Sequence, residues 1–546
     1  MKIIAFLFLI FCALISRGSV IPYKLGDGAL AENVRIFNSD DTELYKNKIP
    51  NSEAEEFMLK NVPRFDCPDG LIEKVYYFRW WTFRKHLRKT ESDGWVITEF
   101  MPDVSWAGKH NTISCASAHH MREARWLRNE NIAKDYAAFW CFSSDKPRAY
   151  SSWFATSALE IYASTGDIEF IKRLYPKLKE NYSAWRKSNF DKSKGLFWTT
   201  DLADGMELSA SGSLHPFWKG YRATINSYMY AECESLSKIA NMLGYKKESE
   251  LYANEALMLK NNINTLLWDD SAKFYKVLPK SGDATIFSPH RELHGYTPWY
   301  FNIAPQRYAQ AWLQVKDENG FKAPFGLTTL ERRSRLFSVN YVGHECQWNG
   351  PVWPYSTSIT ISAMANFIRS NPPKILDKSD FFDALKTYAA SHKRTREDGK
   401  TVFWIDENIN PFNGDWISRT RLKKWKNGTW DEEFVERGKD YNHSTFADLI
   451  INGLVGIQPQ LGGDLLIEPL APDSWDYFAL DNIPYRGKLI SVLWDKDGSR
   501  YGKGAGFAVF SDGVEIARTD IPCKLKIRFS DSLYWKQRQL VCVKNS

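Results

Sequence analysis

The chain has 546 residues, 44% of them hydrophobic, enough for one large domain with attachments. Its 72 lysines and arginines against 65 acidic residues leave a charge of +7 spread thinly, with no basic stripe or long basic run, which excludes nucleic acid as the expected partner. Aromatic residues make up 15%, a share that suits a large core and also the stacking of rings on the C–H faces of sugars.

The N-terminus MKIIAFLFLIFCALISRGSV carries one early lysine, an apolar run from Ile3 to Ile15, then the small residues Ser16, Gly18 and Ser19. This is the grammar of a secretory signal peptide over 1–18, too short to span a bilayer comfortably and expected to be cut near Gly18. The mature chain is therefore expected to be secreted or lysosomal, with no membrane attachment after cleavage. Residues 19–60 are polar and weakly patterned and read as an extended lead-in. Cys12 leaves with the signal; Cys67, Cys115, Cys141, Cys233, Cys346, Cys523 and Cys542 remain, an odd number in an oxidising compartment. Cys523 and Cys542 form a plausible disulfide, and the others read as buried apolar fillers. No cysteine spacing fits zinc, and neither a metal nor another cofactor is expected. Asn181, Asn427 and Asn442 open N-x-S/T sequons; Asn181 and Asn427 are the expected glycosylation sites.

From Trp153 to Trp185 apolar residues recur at helical spacing, interrupted by Gly166-Asp167, which predicts helix, turn, helix. The same grammar returns from Met229 to Leu267 around Gly244, and again over 356–370 and 379–392. The expected fold is mainly α, a toroid of helical hairpins over 61–458 whose long loops carry the function. After Leu461 the runs LLIEPL, KLISVLW, GFAVFSDGVEIA and CKLKIRF are short, alternating or β-branched, with Asp497-Gly498 and Asp512-Gly513 between them. They predict an antiparallel β-sandwich over 459–546.

Two acidic loops interrupt the helices. TTDLADGMELSASG holds Asp204 and Glu207; WIDENINPFNGDW holds Asp406 and Glu407. Glycosidic cleavage with inversion needs one protonated carboxyl at the leaving oxygen and a second carboxylate for water, roughly 6.5–9.5 Å apart. Between the loops runs QWNGPVWPYST, where Trp348 and Trp353 bracket the helix breakers Asn349, Gly350 and Pro351. Gln347, Trp348, Asn349, Gly350 and Trp353 are read as one wall of a sugar subsite, both indoles offering a face. Further candidate sugar contacts are Trp80 and Trp81 beside Arg79, Asp103 and Trp106, and the pair His119-His120, which could bind hydroxyls or cap buried backbone. Arg222, Asn226 and Tyr228 open the helix after the first acidic loop. Trp299 stands on another rigid bend, and RGKDYNHST contributes Lys439, Asp440, Tyr441 and His443 to the same list.

These segments resemble a known group. Gly205-Met206-Glu207 resembles the GMD loop of the inverting glycosidases built on an (α/α)6 barrel, which include trehalases, processing α-glucosidases and mannosylglycerate hydrolases. ENINPFNG is similar to their E-x-Y-N-P-x-x-G motif and QWNGPVWP to their W-x-G-P-x-W bend. ISCASAHHMREARW and RGKDYNHSTF resemble segments of the group named after mannosylglycerate hydrolase. The resemblance implies an exo-acting inverting glycoside hydrolase with a glycoside or oligosaccharide substrate, Glu207 as general acid and Glu407 as general base. The acid in that group is usually Asp, and Leu208 replaces a polar neighbour, so Asp204 remains a rival acid and Asp406 a rival base. On this reading burial should raise the acid's pKa while Glu407 stays ionised. Two alternatives are a polysaccharide lyase using Tyr441, Asn442 and His443, and an inactive carbohydrate-binding protein.

Overall fold

The structure is a computed structural model describing residues 25–45, 48–214, 219–280, 286–340, 346–372, 374–425, 435–529 and 541–542. The expected signal peptide, Asn427 and the side chain of Cys542 lie outside the described residues.

The segment read as an extended lead-in is largely helical. Helix α1 (Gly28–Asp40) and helix α2 (Ala54–Asn61) both pack on α3 (Gly70–Lys85). Leu30, Val34 and Phe37 form the buried stripe of α1 at helical spacing, and Phe37 meets Phe78 edge to face at 5.3 Å. Only these three positions carry the pattern, and the polar residues between them obscure it in the sequence.

The helical body then follows in chain order: α4 (Ser117–Ala124), α5 (Asn131–Phe142), α6 (Phe154–Thr165), α7 (Ile168–Asn189), α8 (Ala223–Met242), α9 (Lys246–Leu266), α10 (Thr297–Tyr300), α11 (Pro354–Ser370), α12 (Lys378–Ser391), α13 (Ile417–Trp425) and α14 (Phe446–Asp448), which continues as a π turn over Leu449–Leu454. The predicted turn between α6 and α7 is present. Gly166 adopts φ +75°, where a side chain would be strained, and the Asp167 carboxylate caps α7 by accepting from Phe170 N at 3.0 Å. The α7 stripe Ile171, Leu174, Leu178, Tyr182 and Trp185 is buried. Helices α4, α6, α8, α10 and α11 pack each on the next, α11 packs on the π turn after α14, and α14 returns to α4. Helices α5 and α7 pack on α6, α7 and α9 on α8, and α12 on α11.

Besides small two- to four-stranded sheets among the helices, the strands include β1 (Arg64–Asp66), β2 (Ile457–Pro459), β3 (Leu465–Ile467), β4 (Tyr477–Tyr485), β5 (Lys488–Asp495), β6 (Gly506–Ser511), β7 (Val514–Thr519), β8 (Leu525–Ile527) and β9 (Val541–Cys542). They form two antiparallel sheets, ordered β1-β4-β5-β6-β7 and β2-β3-β8-β9. The predicted Asp512-Gly513 turn joins β6 to β7, both residues at positive φ as a tight hairpin requires. Strand β1 pairs Arg64 with Asp481 on the sheet edge, tying the start of the chain to its end. Cys67, Cys115, Cys141 and Cys233 form no disulfide, and Cys542 sits in register with Leu525.

Candidate active site

The first acidic loop is wound around Asp201. This buried carboxylate accepts from Leu202 N at 2.9 Å, Ser213 N at 2.6 Å and Ser213 Oγ at 2.7 Å, with Ser209 N at 3.3 Å. Residues 201–213 are thereby closed on themselves. Gly212 permits the closure, because a Cβ there would lie 2.2 Å from Asp201 Oδ2. Asp204 faces inward: Ser151 Oγ donates to Oδ1 and Thr224 Oγ1 to Oδ2, so both oxygens are engaged in anchoring the loop. That geometry removes Asp204 as a free acid. Glu207 projects from the other side of the loop, half-buried, with Trp348 Nε1 donating to its Oε2 at 3.1 Å.

In the second loop the aspartate again serves the backbone. Asp406 Oδ1 accepts from Glu407 N at 2.7 Å and from Ser418 Oγ at 2.8 Å. Glu407, next in the chain, is 4% exposed, and the thiol of Cys346 donates to its Oε1 at 2.8 Å. Burial pushes Glu407 up to about 8, the Cys346 bond opposes the rise, and the charges of Asp406, Glu99 and Glu207 add to it. That direction runs against the expectation of an ionised Glu407, because the group is buried and other carboxyls lie nearby.

The tryptophan bend connects the two loops through backbone hydrogen bonds. Trp348 N donates to Glu207 O at 3.1 Å, and Val352 and Ile409 exchange bonds at 2.9 and 3.0 Å. Gly350 is forced, since a Cβ there would come within 2.4 Å of Ser338 O. Trp348 and Trp353 stack at 4.3 Å, Trp353 stacks on Tyr355 at 4.6 Å, and Tyr355 on His119 at 4.3 Å. Trp353 is thus filled on both faces and offers no platform to a sugar; Trp348 contributes its N–H to Glu207. Gln347 and Asn349 are buried behind the bend, where Asn349 Nδ2 donates to Leu336 O at 2.8 Å.

Several other candidates turn out to be scaffold. Trp80 packs on Tyr76 and Phe83, Trp81 on Phe78 and Asn38, and Trp299 among Tyr275, Tyr296 and Trp312, all in the core. His119 Nδ1 and His120 Nε2 reach the carbonyls of His443 and Asn442 at 3.1 and 2.6 Å, and burial holds His119 at about 3, neutral. Arg222 lies beneath the first loop near Ser211 O, Asn226 bridges Phe197 and Arg222, and Tyr228 meets Tyr355. Lys439 pairs with Asp41 and Asp440 with Lys85, while Asp440 N donates to Ile405 O at 3.0 Å beside the second loop. Asn442 is wholly buried, bonded to Arg79 and Thr98, and is no glycan acceptor. The polar side chains among these, His119, His120, Asn226, Lys439, Asp440 and Asn442, bond to buried backbone or to an opposite charge. Asp103 is exposed and paired with Arg88 at 3.0 Å, whereas Trp106 is 40% exposed with the Arg437 guanidinium 4.9 Å over its ring.

What the structure does gather is Glu207 and Glu407 with Tyr441, Cys346, Cys115, Tyr150 and a further carboxyl, Glu99. Tyr150 and Tyr441 each lie within electrostatic reach of Glu99, Cys115 and Cys346, the first also of Glu207 and the second of Glu407. Arg421 is the cation within reach of Glu407.

Residues 109–444 match the family described as mannosylglycerate hydrolase MGH1-like glycoside hydrolase domain. The chain belongs to this family. Residues 460–516 match the C-terminal domain of glycosyl hydrolase family 65. A solved structure named Sialidase is 36% identical with a TM-score of 0.83, covering 92% of this chain and 45% of that one. Mannosylglycerate hydrolase from Thermus thermophilus in complex with glucose is 13% identical with a TM-score of 0.50, over 69% of this chain and 100% of that one, a likeness of fold. The mannosyl-oligosaccharide glucosidase of Saccharomyces cerevisiae is 21% identical over 378 residues, 59% of this chain and 44% of the yeast protein. The chain spans about half the length of the curated relatives it matches, 52% of one and 44% of the other.

Sequence reasoning missed Glu99, Cys346, Cys115, Tyr150 and Arg421. Glu99 stands in VITEFM, which carries no turn or catalytic pattern. Cys346 had one usable signal, its position immediately before the QWNGPVWP bend.

Proposed function

We propose that the protein is an exo-acting glycoside hydrolase on a six-hairpin (α/α)6 toroid, cleaving with inversion, with Glu207 as general acid and Glu407 as general base. The observation that carries this reading is the bend at 348–353, whose backbone bonds hold the Glu207 and Glu407 loops on one cleft. Glu207 gives its proton to the leaving oxygen; Glu407 takes one from the attacking water, and the anomeric carbon inverts. As the base Glu407 must be ionised, and the Cys346 thiol and the nearby Arg421 guanidinium favour that form. Family membership supports the reaction class. The lyase alternative loses its carboxylate neutraliser, since Asn442 is consumed by Arg79 and Thr98. A secreted or lysosomal location remains part of the proposal, resting on the N-terminal apolar run.

One observation favours a second reading with the two roles exchanged: burial raises the pKa of Glu407, as an acid requires. Glycosyl fluorides separate the two, because fluoride departs without a proton donor. Under the first reading Glu207→Ala retains turnover of a glycosyl fluoride and loses an unactivated glycoside, while Glu407→Ala loses both. The opposite pattern would establish the exchange, and full activity of both variants would sink the proposal.

A further inference from the structure

Resting on the proposed glycosidase reading, we infer that Glu99 is a sugar-binding residue, a carboxyl acceptor for hydroxyl groups of the neutral sugar held beside Glu407, positioned for that task by the RGKDYNHST segment. Glu99 is 5% exposed, its Oε1 lies 3.0 Å from His443 Nε2, and its Oε2 has no hydrogen-bond partner among the described residues. A carboxyl oxygen left bare in a buried position costs free energy unless something else completes it. The neighbours are those of the cleft: Glu407, Tyr441, Tyr150, Cys115 and Cys346 all lie within electrostatic reach of Glu99.

The backbone around Glu99 is held with unusual care. Asn442 N donates to Glu99 O at 3.2 Å, Asn442 Nδ2 to Thr98 O at 2.9 Å, and Thr98 N to His86 O at 3.1 Å. Asn442 is fixed in turn by Arg79 at 2.7 Å, and Arg79 is paired with the buried Glu123. His119 and His120 hold the carbonyls of residues 443 and 442. The polar cluster 439–443 therefore works through the Asn442 backbone and side chain to seat one carboxyl that is itself incompletely bonded. Preorganised acceptors of this kind suit ligand hydroxyls, which can complete the bare oxygen and are gripped without reorganisation. A carboxyl acceptor suits hydroxyl donors and not a carboxylate on the sugar.

The test is calorimetric binding of D-glucose, D-mannose and L-rhamnose to the full chain, then of monodeoxy analogues of whichever binds best, to wild type, Glu99→Gln and Glu99→Asp. The expected result is weakening of about 10–100-fold in Glu99→Gln, with one deoxy analogue losing as much against wild type and almost nothing further against the variant. A merely structural role would leave the deoxy penalties equal in both proteins. Unchanged affinity in both variants, equal deoxy penalties, or no binding of any of the three sugars by wild type overturns the inference. Hydrolysis of an aryl glycoside by that same wild type would show that the proposed activity stands without it.

Discussion

The two acidic loops are built alike and end in different environments. In each, an aspartate holds backbone, Asp201 in the first and Asp406 in the second, Asp204 is taken by two hydroxyls, and a glutamate receives a side-chain donor from the segment 346–348. Glu207 is half-buried and receives an indole N–H; Glu407 is buried, receives a thiol, and is pushed up to about 8. The comparison teaches that an Asp-x-x-Glu or Asp-Glu string assigns no roles by itself. Which carboxyl is spare is decided by where the neighbouring hydroxyls and N–H groups fall.

The largest expected effect that breaks this comparison is Glu407→Ala, which should cost about 10²–10⁴-fold in turnover of every glycoside while leaving the melting temperature near wild type. Next comes the scaffold. Asp201→Ala strands several buried donors and should destabilise the protein by about 3 kcal/mol or more in a denaturant titration, unseating Glu207 as it does so.

A smaller effect sharpens the difference between the glutamates. Glu407 is faced by Cys346, Asp406, Glu99, Glu207, Tyr441 and Arg421. As a base it works only when ionised, so kcat/KM should fall as pH drops through about 8, the value to which burial raises it. The Cys346 thiol bonds the ionised form and lowers that pKa, so Cys346→Ala should move the acidic limb upward by about one pH unit, with Cys346→Ser staying close to wild type. An unmoved limb in Cys346→Ala would detach the thiol from the base. The smallest effect is expected at the rim, where Trp106→Ala should raise KM by less than about tenfold, the worth of one exposed stacking contact.

Much of the fold was legible because it is written in period and punctuation. Gly166-Asp167 and the α7 stripe announce a hairpin, and Asp512-Gly513 announces a turn. Helix α1 escaped because three buried residues inside a polar segment carry too little periodicity. In the candidate site, the two acidic loops were legible as interruptions of the helical pattern, and the bend from its breakers. The stacking of Trp353 between Trp348 and Tyr355 was not, because composition counts rings without saying which faces are taken. Arg222 and Asn226 read otherwise in sequence for a common reason: a polar side chain that completes a buried backbone group looks like one that awaits a ligand, whereas for His120 backbone capping was one of the two readings the sequence allows. Glu99 is the reverse case, a ligand-facing group in a stretch without pattern, brought to the cleft by residues more than 300 positions away.

The most direct test of the central claim follows the product anomer by proton NMR in the first minutes of hydrolysis of an aryl glycoside that the wild type cleaves. A two-carboxylate inverting cleft predicts a first-formed sugar of opposite anomeric configuration, equilibrating only later by mutarotation. A first-formed sugar of retained configuration, or an unsaturated product absorbing in the ultraviolet, would contradict it.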